Sequence, residues 1–249
     1  EKGAEYIHWD EKRKAYQNQT GDIRRGVGMA LFSYKTGVWP ISLEIAGARL
    51  SLNQDGSVQL QVGATEIGQG ADTVFSQMAA ETLHMDISRV HIVTQQDTDV
   101  TPFDTGAYAS RQSFVTGTAV KECAQQLKQK ILEYARTLVP GNVDRLELED
   151  GYILADGKPA ISLEDLAMES YYSLSNSSVL TAEVSRQVKK NTVASGCCFA
   201  EVEVDMKLGQ IKVLHIINVH DSGKLLNPQL AEMQVPVSYT HLTLPTILR

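Results

Sequence analysis

The stretch GATEIGQGADTVFSQMAAETL, residues 63–83, constrains the fold more than any other part of the chain. Before its glycines, apolar residues alternate at Val58, Leu60 and Val62, as in a strand with one buried face. After them, apolar residues recur at helical spacing: Ala71, Val74, Phe75, Met78, Ala79 and Leu83. The pattern predicts a strand, a glycine-rich turn and a helix that buries one face.

A second stretch of the same type begins at Asp104 and reads DTGAYASRQSFVTGTAV. Small and polar residues again lead into apolar residues at helical spacing, which continue from Val115 to Leu138 before Pro140. The sequence therefore predicts two turns of small residues, each at the start of a helix.

Further strands are predicted on both sides of these turns. Alternating apolar residues flank Asp55-Gly56 and Leu208-Gly209, which predicts two β-hairpins. The apolar run from Val27 to Phe32 predicts a buried strand, and Gly47 interrupts the next alternation as a β-bulge would. Turns at Asp150-Gly151 and Asp156-Gly157 predict a small hairpin. The fold class expected is α+β, with mixed sheets and packed helices.

Two helix starts carry polar residues that predict caps. Ser162 precedes a short helix with Glu164 and Asp165 in its first turn. Asp72 is expected to accept hydrogen bonds from the first amides of the helix that follows Gly70.

Charge and composition exclude several classes of protein. The chain has 23 Lys and Arg against 30 Asp and Glu, a net charge of −7 that is spread along 249 residues, which disfavours a nucleic-acid or membrane-surface binder. No apolar run approaches a membrane span, and no leader pattern opens the chain, so we expect a cytoplasmic protein. The first residue is Glu1 rather than Met, and we expect an upstream part to be missing.

Cysteine and histidine patterns predict no side-chain metal site. The three cysteines include adjacent Cys197 and Cys198, which point to opposite faces of a strand and suit neither a disulfide framework nor a zinc site. The six histidines form no HxH or HExxH pair.

The first turn matches neither of two common nucleotide-binding motifs. Gly63 and Gly68 have the spacing of a phosphate-binding loop, but Gln69 stands where the lysine belongs. Thr73 stands where a dinucleotide fingerprint needs its third glycine. A purely structural role, in which glycines only turn the chain from strand to helix, is the alternative for such a cluster.

Polar groups in the two turns favour a ligand. Gln69 supplies both a donor and an acceptor, and Gly70 allows close approach to the backbone. The second turn adds Arg111 as its one cation and the polar side chains of Thr105, Ser110, Gln112 and Ser113. Together these groups suit a flat, hydrogen-bonding heterocycle with a phosphate.

Three stretches, GATEIGQGADTVFSQMAAETL, GAYASRQSFVTGTAV and HDSGKLLNPQLAEMQV, resemble the molybdenum-cofactor-binding part of the xanthine dehydrogenase/oxidase family, most closely its bacterial molybdenum-binding subunits. The similarity runs from Glu1 to Val235 and implies a partial cofactor-binding domain, residues 1–235, with two α+β subdomains. Residues 236–249, PVSYTHLTLPTILR, match nothing in the family. They resemble a translated sequencing adaptor, and we expect an artefactual end.

The resemblance implies a set of cofactor-binding residues. The cofactor is a pterin that holds molybdenum itself, as molybdopterin or its cytosine dinucleotide. Ala107 matches a position whose backbone lies beside the molybdenum, and Arg111 is expected to reach a phosphate or the nucleotide extension. Gln234 matches a late pterin contact, although Met233 stands where the family usually has glycine. The other expected contacts are Ile67, Gly68, Gln69 and Gly70 at the pterin, and Tyr108 and Ser110 on the phosphate side.

The resemblance also implies an activity and partners. The reaction is hydroxylation of hypoxanthine or xanthine with oxygen from water, and electrons leave to iron–sulfur and FAD-binding subunits. The family's glutamate base lies beyond Val235, so no catalytic residue is assigned and the chain alone is predicted to be inactive. Two alternatives stay open: an aldehyde- or carbon-monoxide-type molybdenum hydroxylase, and a non-catalytic cofactor-binding protein of the same fold.

Overall fold

The computed structural model describes residues 1–93 and 95–236, which form two compact units. The terminal unit contains residues 1–35 and the chain from residue 192 onward, and the central unit contains residues 36–191. The elements follow in chain order: α1 (Lys2–Ile7), α2 (Trp9–Ala15), β1 (Ile23–Thr36), β2 (Ile45–Leu52), β3 (Val58–Val62), α3 (Ala71–Leu83), β4 (Val90–Ile92), α4 (Gln112–Leu138), β5 (Leu146–Glu149), β6 (Tyr152–Ala155), β7 (Lys158–Ser162), α5 (Leu163–Tyr172), β8 (Thr181–Gln187), β9 (Thr192–Asp205) and β10 (Gln210–Asp221). Residues 228–236 are also helical.

The central unit is built on a four-stranded sheet in the order β4-β3-β2-β8. β2 pairs antiparallel with β3 and β8, whereas β3 pairs parallel with β4 because α3 connects these two strands. Leu50 and Leu60 of the sheet share one fully buried apolar core with Phe75 of α3 and Leu127 of α4. A second sheet, β5-β6-β7, is a small antiparallel meander. The large core therefore fixes α3 and α4, whose starts carry the two predicted turns.

The terminal unit contains a three-stranded sheet in the order β1-β9-β10. Its small core joins Ile7 of α1, Val27 of β1 and Phe199 of β9. Trp9 of α2 packs edge-on against Phe199, with the ring centroids 5.7 Å apart.

A buried carboxylate ties α2 to this sheet. Glu201, 3% exposed, accepts hydrogen bonds from Lys12 Nζ, Tyr16 Oη and His215 Nδ1, each at 2.6 Å. Burial alone would raise the pKa of Glu201, but these hydrogen bonds outweigh burial and lower the pKa to about 2. Glu201 is therefore ionised in the folded unit at neutral pH.

The structure confirms the predicted α+β class and most of its elements. Both hairpins form with the expected turns, and the helices after the two turns span Ala71–Leu83 and Gln112–Leu138. Ser162 Oγ accepts the backbone N–H of Asp165 (3.0 Å), as the predicted cap requires. Within residues 1–93 and 95–236, no helix combines the length and apolar character of a membrane span.

Strand β1 differs from its prediction. Val27 is the only buried residue of β1, and Leu31 is 75% exposed, so the apolar run is not a buried strand. A continuous apolar run shows that a strand has two apolar faces, but it does not show what covers them.

Candidate functional site

The first turn, residues 63–70, folds around the carboxylate of Glu66. One oxygen of Glu66 accepts the backbone N–H groups of Gly68 (2.7 Å) and Gly70 (3.1 Å), and the other accepts that of Asp72 (3.1 Å). Burial would raise the pKa of Glu66, but these backbone donors outweigh burial and lower it. The start of α3 therefore carries an anion that belongs to the chain itself.

The cap predicted at Asp72 is wrong. The Oδ1 atom of Asp72 is buried and has no hydrogen-bond partner among the residues that the structure describes. Burial and the charge of Glu66 raise the pKa of Asp72. Glu66 replaces Asp72 because the glycine-rich turn brings a carboxylate from six positions earlier onto the first amides of α3.

Gln69 joins the first turn to the start of α4. Its Oε1 accepts the N–H of Ile67 (2.7 Å), and its Nε2 donates to Thr65 O (3.1 Å) and to Gln112 Oε1 (2.5 Å). The Nε2 of Gln112 also donates to Thr65 O (3.2 Å). These bonds bring the two predicted turns together on one side of the central unit.

The segment that leads into the second turn lies directly on the sheet at two glycines. A Cβ on Gly47 would lie 2.7 Å from Cβ of Pro102, and a Cβ on Gly63 would lie 2.1 Å from the carbonyl oxygen of Pro102. The N–H of Gly47 donates to Phe103 O (2.8 Å). The β-bulge predicted at Gly47 is therefore wrong, since β2 pairs there without a shift and the glycine serves a close approach.

The second turn, residues 104–111, has unusual backbone angles. Gly106, Ala109 and Ser110 have φ values of 118°, 49° and 52°. Such values are strained for Ala109 and Ser110, since they have a Cβ. No acceptor in residues 1–93 and 95–236 receives the backbone N–H of Ala107, Ala109 or Ser110. Amides presented by such a loop are suited to an anion or a polar heterocycle.

Arg111 lies beneath this turn with its side chain fully buried. Its Nε donates to Glu44 Oε2 (2.6 Å), its Nη2 to Ile45 O (2.8 Å), and its Nη1 to Gly106 O (2.9 Å) and Asp104 Oδ1 (2.5 Å). Burial would lower the pKa of Arg111, but the hydrogen bond to Glu44 and the charge of Asp104 outweigh burial and raise it. The guanidinium is therefore held as a cation between two carboxylates.

This placement corrects the phosphate contact predicted for Arg111. All three guanidinium nitrogens donate within the chain, and the side chain has no exposed surface from which to reach a phosphate. The sequence pattern indicates an exposed cation, because the residues next to Arg111 in the chain give no sign that Glu44 and Asp104 bind its guanidinium in the interior.

The other predicted contacts lie on the two turns or far along the chain. Ile67 is 69% exposed, and a Cβ on Gly68 would find open space within 4 Å. Ala107 and Ser110 are exposed, whereas Tyr108 is partly buried and donates from its hydroxyl to Leu43 O (3.3 Å). The remaining two are Gly70, which precedes α3 at φ 82°, and Gln234, which lies in the terminal unit within helical residues 228–236. Of the tail assigned to residues 236–249, residues 237–249 lie outside the described part.

Three supporting residues went unnoticed in the sequence. Glu44 and Asp104 hold Arg111, and Glu66 holds the first turn. Glu66 had a signal, because a carboxylate just before a glycine pair and a helix start can bind the helix amides. Glu44 is 67 positions from Arg111, and nothing in the sequence indicates that the two side chains pair.

The residues present fit a pterin with a phosphate. Gln69 Oε1 keeps one lone pair at the first turn, open space borders Gly68, and the second turn presents backbone N–H donors without backbone acceptors in the described part of the chain. Among those residues, no three His, Cys, Asp or Glu side chains gather where they could hold a metal ion.

Comparison with known proteins adds sequence and structural relatives. The family model of the molybdopterin cofactor-binding domain matches residues 2–238. The chain is 49% identical over 238 residues to the xanthine dehydrogenase molybdenum-binding subunit of Escherichia coli O157:H7, covering 94% of this chain and 32% of that protein. It is 31% identical to "Probable hypoxanthine oxidase XdhD" of Escherichia coli (strain K12), covering 94% of this chain and 24% of that protein.

A solved structure with the same fold is reconstituted CO dehydrogenase from Oligotropha carboxidovorans. The TM-score is 0.79 at 23% identity, and the match covers 94% of this chain and 31% of that chain. The chain thus spans a third or less of the length of the relatives it matches.

Proposed function

Because the chain belongs to the molybdopterin cofactor-binding domain family, we propose that it forms the cofactor-binding part of a xanthine dehydrogenase-type hydroxylase that oxidises hypoxanthine or xanthine. The 49% identity to a xanthine dehydrogenase subunit is the observation that carries this proposal. The cofactor would supply the redox chemistry that inserts an oxygen atom from water into the purine. Iron–sulfur and FAD-binding subunits would take the electrons, and the cytoplasmic location stays a prediction.

The two turns would bind and orient the cofactor. Gln69 would hydrogen-bond the pterin, beside Ile67 and the glycines on either side of Gln69. The Ala107 backbone would lie beside the metal, and Tyr108 and Ser110 would line the phosphate side. Gln234, in the terminal unit, stays a separately predicted pterin contact, and the cofactor-binding domain is assigned to residues 1–235. Arg111 leaves this set of direct contacts because its guanidinium is fully engaged within the chain.

The substrate class can be tested with the full-length subunit expressed with its partner subunits. We expect molybdenum and pterin in the purified complex, and oxidation of hypoxanthine and xanthine in preference to aldehydes and carbon monoxide. A complex that holds the cofactor but prefers an aldehyde or carbon monoxide would select the alternative hydroxylases. A complex that holds the cofactor and oxidises none of these compounds would favour the hypothesis of a non-catalytic cofactor-binding protein.

The contact at Gln69 can be tested separately. The Gln69→Leu variant keeps the size of the side chain but loses three hydrogen bonds, two within the first turn and one to Gln112. We expect cofactor loss on dilution to be up to about tenfold faster, since one hydrogen bond contributes about 0.5–1.5 kcal/mol. Gln125→Leu, at an exposed position of α4, is the matched control. Equal cofactor retention in both variants would remove Gln69 from the site.

A further inference from the structure

Three segments of the central unit converge on one buried cation. Through Asp104 and Gly106, Arg111 holds the second turn, and through Ile45 it holds the start of β2. Through Glu44 it holds the loop before β2, since the other oxygen of Glu44 accepts the N–H of Val38 (2.5 Å).

We infer that Arg111 is a positioning residue, which fixes the backbone of Ala107 to Ser110 in its strained form and so presents it to the bound cofactor. This inference rests on the proposed function, because it assigns that loop to a cofactor. It gives Arg111 an indirect role: the guanidinium contacts no phosphate but sets the place and the angle of the backbone groups that do the binding.

Backbone strain at the loop explains why a buried cation is needed. Ala109 and Ser110 have positive φ, a conformation that persists only where surrounding contacts over-determine it. Those contacts start from the same cluster. The carbonyl of Ala109 accepts the N–H of Gly37 (2.8 Å), whose neighbour Val38 is bound to Glu44. Arg111 thus holds both sides of the contact that fixes Ala109.

Only an arginine matches the acceptors around this position. Four acceptors lie in different directions: Glu44 Oε2, Asp104 Oδ1, Gly106 O and Ile45 O. A guanidinium presents five N–H donors in a rigid plane, whereas a lysine ammonium presents three donors at one point. Lysine keeps the charge that the two carboxylates require but cannot reach every carbonyl. The Arg111→Lys variant therefore tests geometry rather than charge.

The experiment compares two lysine variants in the full-length subunit assembled with its cofactor. Arg49→Lys is the matched control, because Arg49 makes a two-point ion pair with Glu183 in the same unit but is partly exposed. Two quantities are measured: the rate of pterin loss on dilution into mild urea, and the hydrogen exchange of a peptide covering residues 104–112. Peptides from β2 and from the second half of α4 report on the fold of the unit.

We expect Arg111→Lys to lose pterin about 10- to 100-fold faster than wild type, by analogy with groups that orient metal ligands, whose loss weakens metal binding by that factor. Its loop peptide should exchange faster while the β2 and α4 peptides keep their wild-type protection, and Arg49→Lys should behave as wild type. Wild-type retention and wild-type loop protection in Arg111→Lys would overturn the inference. Equal loss of protection in all peptides would also overturn it, because Arg111 would then serve only the stability of the fold.

A milder variant covers the case in which Arg111→Lys does not fold. Thr116→Val removes the hydroxyl that donates to Asp104 Oδ2 (2.7 Å) and keeps both size and charge. It should loosen the loop peptide and speed pterin loss in the same direction, and an unchanged loop would count against the inference. A wild-type subunit that holds no pterin would instead overturn the proposed function, and the cofactor role of the loop would fall with it.

Discussion

The charged residues nearest the two turns act within the protein. Glu66 accepts hydrogen bonds from backbone N–H groups at the start of α3, and Arg111 forms ion pairs with two carboxylates under the second turn. The groups left for a ligand are neutral: the second lone pair of Gln69 Oε1 and backbone N–H groups. A few polar groups in a fixed arrangement set the orientation of a ligand and provide specificity for its hydrogen-bonding pattern.

Removing the carboxylate of Glu66 should loosen the first turn. The Glu66→Ala variant leaves three backbone N–H groups without their acceptor. Because hydrogen bonds to a charged group contribute about 1.5–3 kcal/mol, and part of this is recovered from water, we expect the free energy of unfolding to fall by about 2 kcal/mol. Urea titration of the central unit measures this change.

Glu81→Ala is the control for that change, because Glu81 is an exposed residue of the same helix. It should alter the free energy of unfolding by less than about 0.5 kcal/mol. Equal effects of the two variants would show that the Glu66 contacts do not stabilise the turn.

At the level of single residues, sequence predicted what is local. Gln69 and the glycines beside it are recognisable because they stand together at a helix start. The partners of Arg111 cannot be recognised in this way, since one of them, Glu44, is 67 positions away in the sequence. Burial of the Arg111 side chain is visible only in the folded structure. A buried role for a cation leaves no mark on its immediate neighbours.

At the level of elements, periodic patterns predicted the helices and hairpins, and long-range pairing escaped them. Strand β8 was not predicted at all, because it is short, half polar and pairs with β2 across about 130 positions. The fate of Gly47 likewise depended on Pro102, which lies far along the chain. Interruptions of an alternating pattern can mean a bulge or a close neighbour, and sequence alone does not separate them.

The contact between Gly63 and Pro102, in the segment that leads into the second turn, should not tolerate an added methyl group. In Gly63→Ala the new Cβ would lie 2.1 Å from the carbonyl oxygen of Pro102, so the segment must shift away from β3. We expect a loss of about 1–3 kcal/mol in the free energy of unfolding, which is typical of overpacking. Gly28→Ala, where a Cβ meets open space, is the control, and an equally stable Gly63→Ala would refute the contact.

Packing of α2 on its sheet should depend on pH through Glu201. Its pKa in the folded unit, about 2, lies below the ordinary value of 4.5. The stabilisation is therefore complete above pH 4.5 and is lost as the pH falls towards 2. We expect the free energy of unfolding to fall more steeply over this range in wild type than in Glu201→Gln.

Trp9, one of two tryptophans, reports on this unit once Trp39 is replaced by phenylalanine, and urea titrations at several pH values give the slopes. Glu203→Gln is the control, since Glu203 lies on the same strand and pairs with the half-exposed Arg25. Identical slopes for wild type and Glu201→Gln would contradict the assignment.

At the scale of the whole molecule, each unit has its own apolar core. Each unit also contains cysteines, whose labelling rates measure how accessible their thiols are. Cys123 is buried in the central unit, where its thiol donates to Ala182 O (3.2 Å) and burial raises its pKa to about 11. Cys197 and Cys198 lie in the terminal unit and are partly exposed.

Thiol labelling at pH 8 should therefore modify Cys197 and Cys198 long before Cys123, because the reactive thiolate of Cys123 is both scarce and shielded. In a variant with serine at positions 197 and 198, labelling of Cys123 should rise only with the urea unfolding of the central unit. Mass spectrometry of the labelled peptides measures both rates. Rapid labelling of Cys123 in native buffer would contradict its burial.

Carboxylates of the chain hold both turns in place, Glu66 for the first and Glu44 with Asp104 for the second. A ligand that settles on them meets loops already in place, so little conformational entropy is lost when it binds. We therefore expect the binding of a ligand to depend more on access to the two turns than on their rearrangement.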